Sequence, residues 1–222
     1  MPKDRLLFAK EGRACYISHL DLMRTFQRAF LRADLPIKHT EGFNPHPFIS
    51  IALPLSLGFS SRCEILEFGL LEGTDHADVP ARLNAALPEG VRVLECYQGE
   101  RSMRELQWID YEIQVDYTGD VQDLQQAWST LLNRESWVVE KPSKKAKSGV
   151  TTIDIPTFIK GFSFTDIPQQ GFVLHALLAA QNPGLNPSVM VNTLTDARPQ
   201  FVPEFVRYTR QEILDRDGKI FR

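Results

Sequence analysis

The sequence has few cysteines, no long apolar segment and no strong charge of either sign. Its three cysteines are Cys15, Cys63 and Cys96, and no pair has the C-x-x-C spacing of a zinc or redox motif. We therefore expect reduced, mostly buried thiols. No run of eighteen apolar residues occurs, and the N-terminal stretch lacks the apolar core of a signal peptide, so we expect a cytoplasmic protein without a membrane span.

Charge is distributed unevenly along the chain. The formal net charge is −3, but residues 1–60 carry eight Lys or Arg against five Asp or Glu. The remaining 162 residues carry 17 basic and 23 acidic side chains. Such a basic region is suited to a phosphate-rich partner, and ordinary variation in surface charge accounts for it equally well. The lysine-rich segment 141–149 is expected to be a solvated hairpin tip, with phosphate contact as the alternative interpretation.

Apolar periodicity and turn residues predict an α+β fold. We expect two sequential ferredoxin-like sandwich modules of βαββαβ order, residues 1–100 and 104–222, with the boundary near Gly99–Met103. In the first module, strands are expected at 5–10, 48–53, 63–71 and 91–96, and helices at 19–33 and 78–87. In the second, strands are expected at 107–117, 137–140, 151–164, 171–179 and 206–214, and helices at 121–132 and 187–194.

The best-defined helix follows Ser18, which forms an S-x-x-D capping pattern with Asp21. Apolar residues then recur at helical spacing, and a basic stripe falls roughly opposite them. The stripe consists of Arg24, Arg28 and Arg32.

The second motif is the segment Gly42-Phe43-Asn44-Pro45-His46-Pro47. Gly42 permits backbone conformations that other residues avoid, and two prolines fix the chain around His46. Because proline donates no amide, this segment does not form a continuous phosphate-binding nest. It either presents Asn44 and His46 on a stiff support or serves as a rigid crossover whose polar side chains cap neighbouring elements.

Candidate acid–base residues are His19 and His46. His19 is expected in the first helical turn, where the helix dipole disfavours the imidazolium and favours nearby anions. A near-neutral histidine there can act as an acid or base, or simply cover the helix terminus. We predict no metal site, although His19, His46 and Glu64 are the set that would have to converge to form one. The sequence also lacks G-x-S-x-G, H-E-x-x-H and glycine-rich nucleotide motifs.

The segments YISHLDL (16–22), GFNPHP (42–47) and ALPL (52–55), together with Gly58, resemble the radical-SAM-linked protein family, a bacterial domain of unknown function. The resemblance is strongest over residues 3–72. It implies a B12-binding radical SAM protein as the partner, with the iron–sulfur cluster and cobalamin held by that partner. Because this chain has no three-cysteine cluster motif, we expect no cofactor and no radical chemistry of its own.

Three functional hypotheses follow. The first is an accessory module that recognises RNA or a ribosomal component for a radical SAM enzyme. The second is a metal-independent endoribonuclease that uses His19. The third is a protein-only adaptor of the radical SAM partner. For the first hypothesis the expected binding residues are Ser18, Asp21, Arg24, Arg28, Arg32 and Asn44.

Overall fold

The computed structural model describes residues 3–71, 74–142, 149–181 and 183–222. Within these residues the chain is a mixed α+β protein with four α-helices and mostly antiparallel strands, as predicted. Residues 1–106 and 209–222 form unit 1, and residues 107–208 form unit 2. Most of the lysine-rich segment 141–149 lies outside the described residues.

Unit 1 contains the predicted βαββαβ order. Its elements are β1 (Lys3–Lys10), α1 (His19–Arg32), β2 (Ile49–Ile51), β3 (Ser60–Phe68), α2 (Val79–Asn84) and β4 (Val91–Gly99). The strand order is β4-β1-β3-β2, and each of these pairings is antiparallel. The register pairs Leu6 with Leu66 and with Cys96.

One face of this sheet packs against α1 and α2. The Phe8 and Phe26 rings meet edge to face with centroids 4.8 Å apart, and the Phe30 and Phe68 rings lie 5.0 Å apart. All four side chains are buried. Since full burial of a phenylalanine contributes about 1.5–3 kcal/mol, this cluster holds α1 firmly on the sheet.

The division between the units differs from the predicted modules at the C-terminus. The expected second module, 104–222, includes residues that belong to unit 1. The reason is packing on the other face of the unit 1 sheet, where Ile213 and Phe221 join Leu7, Cys63 and Ile65 in a second apolar cluster. These contacts join residues far apart in sequence.

Unit 2 has a similar order with one added pair of strands. Its elements are β5 (Trp108–Asp116), α3 (Val121–Leu132), β6 (Val138–Pro142), β7 (Val150–Asp154), β8 (Ile159–Ile167), β9 (Gly171–Ala179), α4 (Pro187–Ala197) and the first four residues of β10 (Phe205–Leu214). The strand order is β10-β5-β9-β8, and β6 pairs separately with β7. The expected strand 151–164 is interrupted by a 3₁₀ turn, Ile155–Phe158, because Pro156 has no amide to donate to a neighbouring strand. Strand β10 ends in unit 1, where Thr209 and Arg210 pair in parallel with Ser60 and Ser61.

The three cysteines are free, and Cys15 and Cys63 are buried. Burial raises the pKa of the Cys63 and Cys96 thiols to about 12. Both thiols are therefore protonated near neutral pH, as expected of structural cysteines. No helix in the described part of the chain is long and apolar enough to cross a membrane.

Candidate nucleic-acid interface

Helix α1 begins at His19 because Ser18 supplies its N-cap. The Ser18 hydroxyl accepts from the Asp21 backbone amide at 3.2 Å and donates to the Asp21 carboxylate at 2.7 Å. The predicted S-x-x-D capping pattern is therefore present. The Asp21 carboxylate completes it by accepting a hydrogen bond from the Ser18 hydroxyl. The Ser18 hydroxyl, followed by Arg24, holds the pKa of the Asp21 carboxyl below its usual value.

The arginine stripe is exposed along α1. Arg24 donates to the Asp21 carboxylate at 3.1 Å, and Arg32 donates to the Arg28 carbonyl at 3.3 Å. The Arg24–Asp21 pair is 66% and 61% exposed, so it contributes little to stability. The guanidinium groups can therefore exchange these partners for an external anion at small cost.

The motif Gly42–Pro47 forms the tip of a short antiparallel arm, which we call the 38–48 arm. Its two sides are joined by hydrogen bonds from Phe48 N to Lys38 O and from Thr40 N to His46 O, both 2.8 Å, and by a bridge between His39 and Pro47. Gly42 has φ +131°, a conformation that favours glycine. Phe43 beside it is fully exposed. An aromatic ring held at the end of a paired arm is available for stacking.

His46 is anchored inside the arm. Its Nδ1 lies 3.0 Å from the Thr40 hydroxyl and 3.3 Å from the Asn44 carbonyl, and its amide donates to Thr40 Oγ1 at 3.2 Å. The side chains of Asn44 and His46 are both exposed. These contacts stiffen the segment, as both the stiff-support and the rigid-crossover interpretations require.

The two candidate histidines do not form a pair. His19 is half-buried at the first residue of α1, and among the described residues no hydrogen bond joins it to His46. Glu64 is the third residue that would have to converge with the two histidines to form a metal site. It is buried, and its carboxylate accepts a hydrogen bond from Arg210 at 2.7 Å. Across the described residues no group of three His, Cys, Asp or Glu side chains is arranged to hold a metal ion.

A groove of about 660 Å³ lies between α1 and the 38–48 arm. Arg28 and Leu31 line it from α1, His39 and Pro47 from the arm, and Leu71 from the segment after β3. The groove therefore joins two motifs that the sequence identifies separately. Leu31 and Leu71 are 82% and 44% exposed, so its walls are apolar but open to solvent.

A second cavity in unit 1, also about 660 Å³, is lined by four cations. Its Lys3 and Arg5 share the Glu67 carboxylate at 2.9 and 3.0 Å, and its Arg101 pairs with Asp215 at 2.7 Å. Internal partners thus occupy three of these cations, and the fourth is the exposed Arg104. We take the groove beside α1 as the candidate interface because it adjoins the arginine stripe and the 38–48 arm.

The candidate interface also includes Leu31, His39, Phe43 and Leu71, which the sequence analysis did not select as binding residues. A signal was present for Leu31, because a leucine three residues after Arg28 interrupts the polar face of α1. No local sequence pattern marks Leu71, because only the tertiary fold brings this residue to the groove.

Comparison with solved structures supports the fold. A chain of the "Crystal Structure of a Cbf5-Nop10-Gar1 Complex" matches with a TM-score of 0.53 and 9% identity, over 95% of this chain and 48% of that one. This chain therefore spans about half the length of that protein. The small subunit of acetolactate synthase from Thermotoga maritima (10% identity, 95% and 94% covered) and an unknown protein from Galdieria sulphuraria (14%, 94% and 98%) have TM-scores of 0.26 and 0.29, too low to indicate a shared fold.

No curated protein matches this sequence. Residues 3–187 match the family model described as "Uncharacterized protein conserved in bacteria (DUF2344)". This range includes α1, the 38–48 arm, the groove and most of unit 2. The chain belongs to the DUF2344 family of bacterial proteins.

Proposed function

We propose that this chain binds RNA through α1 and the 38–48 arm, and that it recognises an RNA or ribonucleoprotein substrate for a radical SAM enzyme. One observation carries the proposal. Arg28 of the exposed stripe lines the same groove as His39 and Pro47 of the arm. One cation of the stripe thus lines an apolar groove whose opposite wall is the arm that carries the exposed Phe43 at its tip.

This combination is the one that single-stranded RNA requires. Cationic side chains track the phosphates, and aromatic or apolar surfaces support the bases. In this interface Arg24, Arg28 and Arg32 contact phosphates, and Phe43 stacks on a base. Asn44 and His46 offer hydrogen bonds beside it. Ser18 and Asp21 act by fixing the start of α1.

The radical SAM partner follows from the sequence resemblance over residues 3–72. In this proposal the partner holds the iron–sulfur cluster and cobalamin, and this chain supplies the contact with the RNA or ribosomal component. The matched solved structure is that of a protein complex, which by analogy favours a protein partner for this chain as well. Direct binding to a purified B12-binding radical SAM protein from the same host tests this part.

The proposed architecture is two ferredoxin-like modules. The strand orders β4-β1-β3-β2 and β10-β5-β9-β8 both correspond to 4-1-3-2 within a βαββαβ unit, if β6 and β7 are an insertion. An experimental structure in which β2 or β8 left its sheet would contradict this arrangement.

The endoribonuclease alternative rests on His19, whose half-exposed side chain lies at the start of α1. In that case pure protein cleaves cellular RNA, and His19→Ala abolishes cleavage. An inactive wild type, both in EDTA and with added divalent metal, excludes it. The adaptor alternative predicts a protein partner and no bound RNA.

The test is a pull-down of the tagged protein from its host, with bound RNA and protein both sequenced. The test variant carries Arg24→Gln, Arg28→Gln and Arg32→Gln, and glutamine preserves the helix. The charge-matched control carries Arg92→Gln, Arg134→Gln and Arg216→Gln, all at exposed positions. Wild type and control should enrich the same RNA, and the stripe variant should lose it. Equal RNA recovery by the stripe variant would refute the interface.

A further inference from the structure

We propose that the groove beside α1 binds one unpaired nucleobase of the RNA, with the adjoining phosphate on Arg28. This inference rests on the proposed RNA-binding function and specifies what enters the groove. A base needs apolar surface for its faces and hydrogen-bonding groups at its edge.

The apolar surface is present and accessible. Leu31 on α1, Pro47 on the arm and Leu71 face the groove, and the buried Leu35 and Ile37 lie at its base. The volume of about 660 Å³ falls within the range of roughly 300–1,000 Å³ that is usual for small-molecule sites. A single nucleotide is of suitable size.

Two polar side chains supply the edge contacts. The His39 Nδ1 lies 3.2 Å from the Ile37 carbonyl, and because a carbonyl only accepts, Nδ1 carries the proton. This leaves Nε2 to contact the edge of a base. Gln27 also lines the groove, and its amide offers both a donor and an acceptor. An imidazole nitrogen and an amide can together satisfy the mixed edge of a base.

Charge favours a nucleotide over an apolar peptide as the occupant. Arg28 lines the groove, and Arg24 and Arg32 lie one helical turn before and after it on α1. The acidic lining residue is Asp34, and the three arginines of the stripe outnumber it. An RNA strand with one phosphate on Arg28 can place its neighbouring phosphates on Arg24 and Arg32. An apolar peptide would gain little from three neighbouring cations.

The experiment compares a short single-stranded RNA with an abasic oligonucleotide of the same length and charge. Binding to the full-length chain carrying Phe43→Ala, which removes the proposed stacking contribution of the arm, is measured by fluorescence anisotropy at constant salt. Base insertion predicts at least about tenfold tighter binding of the base-containing RNA. Leu31→Lys provides the discriminating variant, because this position is 82% exposed and lysine is a good helix former.

Leu31→Lys distinguishes electrostatic binding from base insertion, because the two modes predict opposite changes in affinity for the base-containing RNA. Lysine adds a cation, so purely electrostatic binding should strengthen for both oligonucleotides. In the Phe43→Ala background, base insertion predicts that adding Leu31→Lys leaves binding of the abasic oligonucleotide unchanged or tighter, yet removes the preference for bases. Equal affinity of the Phe43→Ala protein for both oligonucleotides overturns the inference and leaves the proposed function standing. A preference for bases that survives the addition of Leu31→Lys also overturns it. Absence of binding to either oligonucleotide, or saturable binding of an apolar peptide instead, refutes both proposals.

Discussion

Arg210 donates to the Glu64 carboxylate at 2.7 Å, and both side chains are almost completely buried, at 3% and 1% exposure. Arg210 also donates to the Leu53 carbonyl at 2.9 Å. Leu53 has φ +47°, in the left-handed region, and follows β2. One arginine thus ties β3, the segment after β2 and the end of β10 together within unit 1.

Arg210→Met should destabilise the protein by about 3–5 kcal/mol, because it leaves the Glu64 carboxylate buried without its cation. Urea denaturation measures this loss. Arg62→Met is the matched control, since Arg62 pairs with Glu11 at 3.3 Å on the surface and should cost about 0–1 kcal/mol. Equal costs for the two variants would show that the buried pair has no special role.

Stability should decrease as pH rises above about 9. In the folded state Cys63 has a pKa of about 12, whereas an unfolded thiol titrates near 8.5. Between these values the unfolded chain binds fewer protons than the folded one, so stability falls with pH by up to about 1.4 kcal/mol per pH unit for this group. Burial likewise raises the pKa of Cys96 and of Tyr208 to about 12, which adds to the decrease. Urea denaturation between pH 8 and 11 measures the slope, and Cys63→Ala should make it shallower. An unchanged slope in Cys63→Ala would contradict this assignment.

Phe43→Ala should weaken RNA binding without affecting stability. The ring is fully exposed, so its removal should change the free energy of unfolding by less than about 0.5 kcal/mol. Loss of a stacked base should cost about 1–3 kcal/mol of binding free energy. Anisotropy titration and thermal unfolding measure the two effects. Phe205→Ala, at an exposed aromatic in unit 2, is the control, and an equal loss of affinity in both variants would argue against stacking at the arm.

Local signals account for the parts of the site that the sequence predicts. The Ser18 cap and the spacing from Met23 to Ala33 act within a few turns, so α1 could be placed without tertiary information. The prolines around His46 likewise indicated a stiff segment. Long-range packing determines the remainder: Phe221 joins unit 1 through contacts with Leu7 and Cys63, and no local pattern encodes that pairing.

The groove likewise depends on long-range packing. Leu31, Pro47 and Leu71 come from three separate parts of the chain and meet only after the sheet forms. Sequence analysis could therefore identify the arginine stripe and the arm but not the surface that they share.

The central claim is that the α1 arginines contact RNA phosphates, and the salt dependence of RNA affinity tests it most directly. Each phosphate contact with a single strand contributes about −0.7 to the slope of log K against log salt concentration. Replacing Arg24, Arg28 and Arg32 by glutamine should therefore reduce the magnitude of the slope by about 2 and weaken binding at low salt. The variant with Arg92, Arg134 and Arg216 replaced by glutamine should keep the wild-type slope. Identical slopes for wild type and both variants, or no RNA binding by wild type at low salt, would contradict the account.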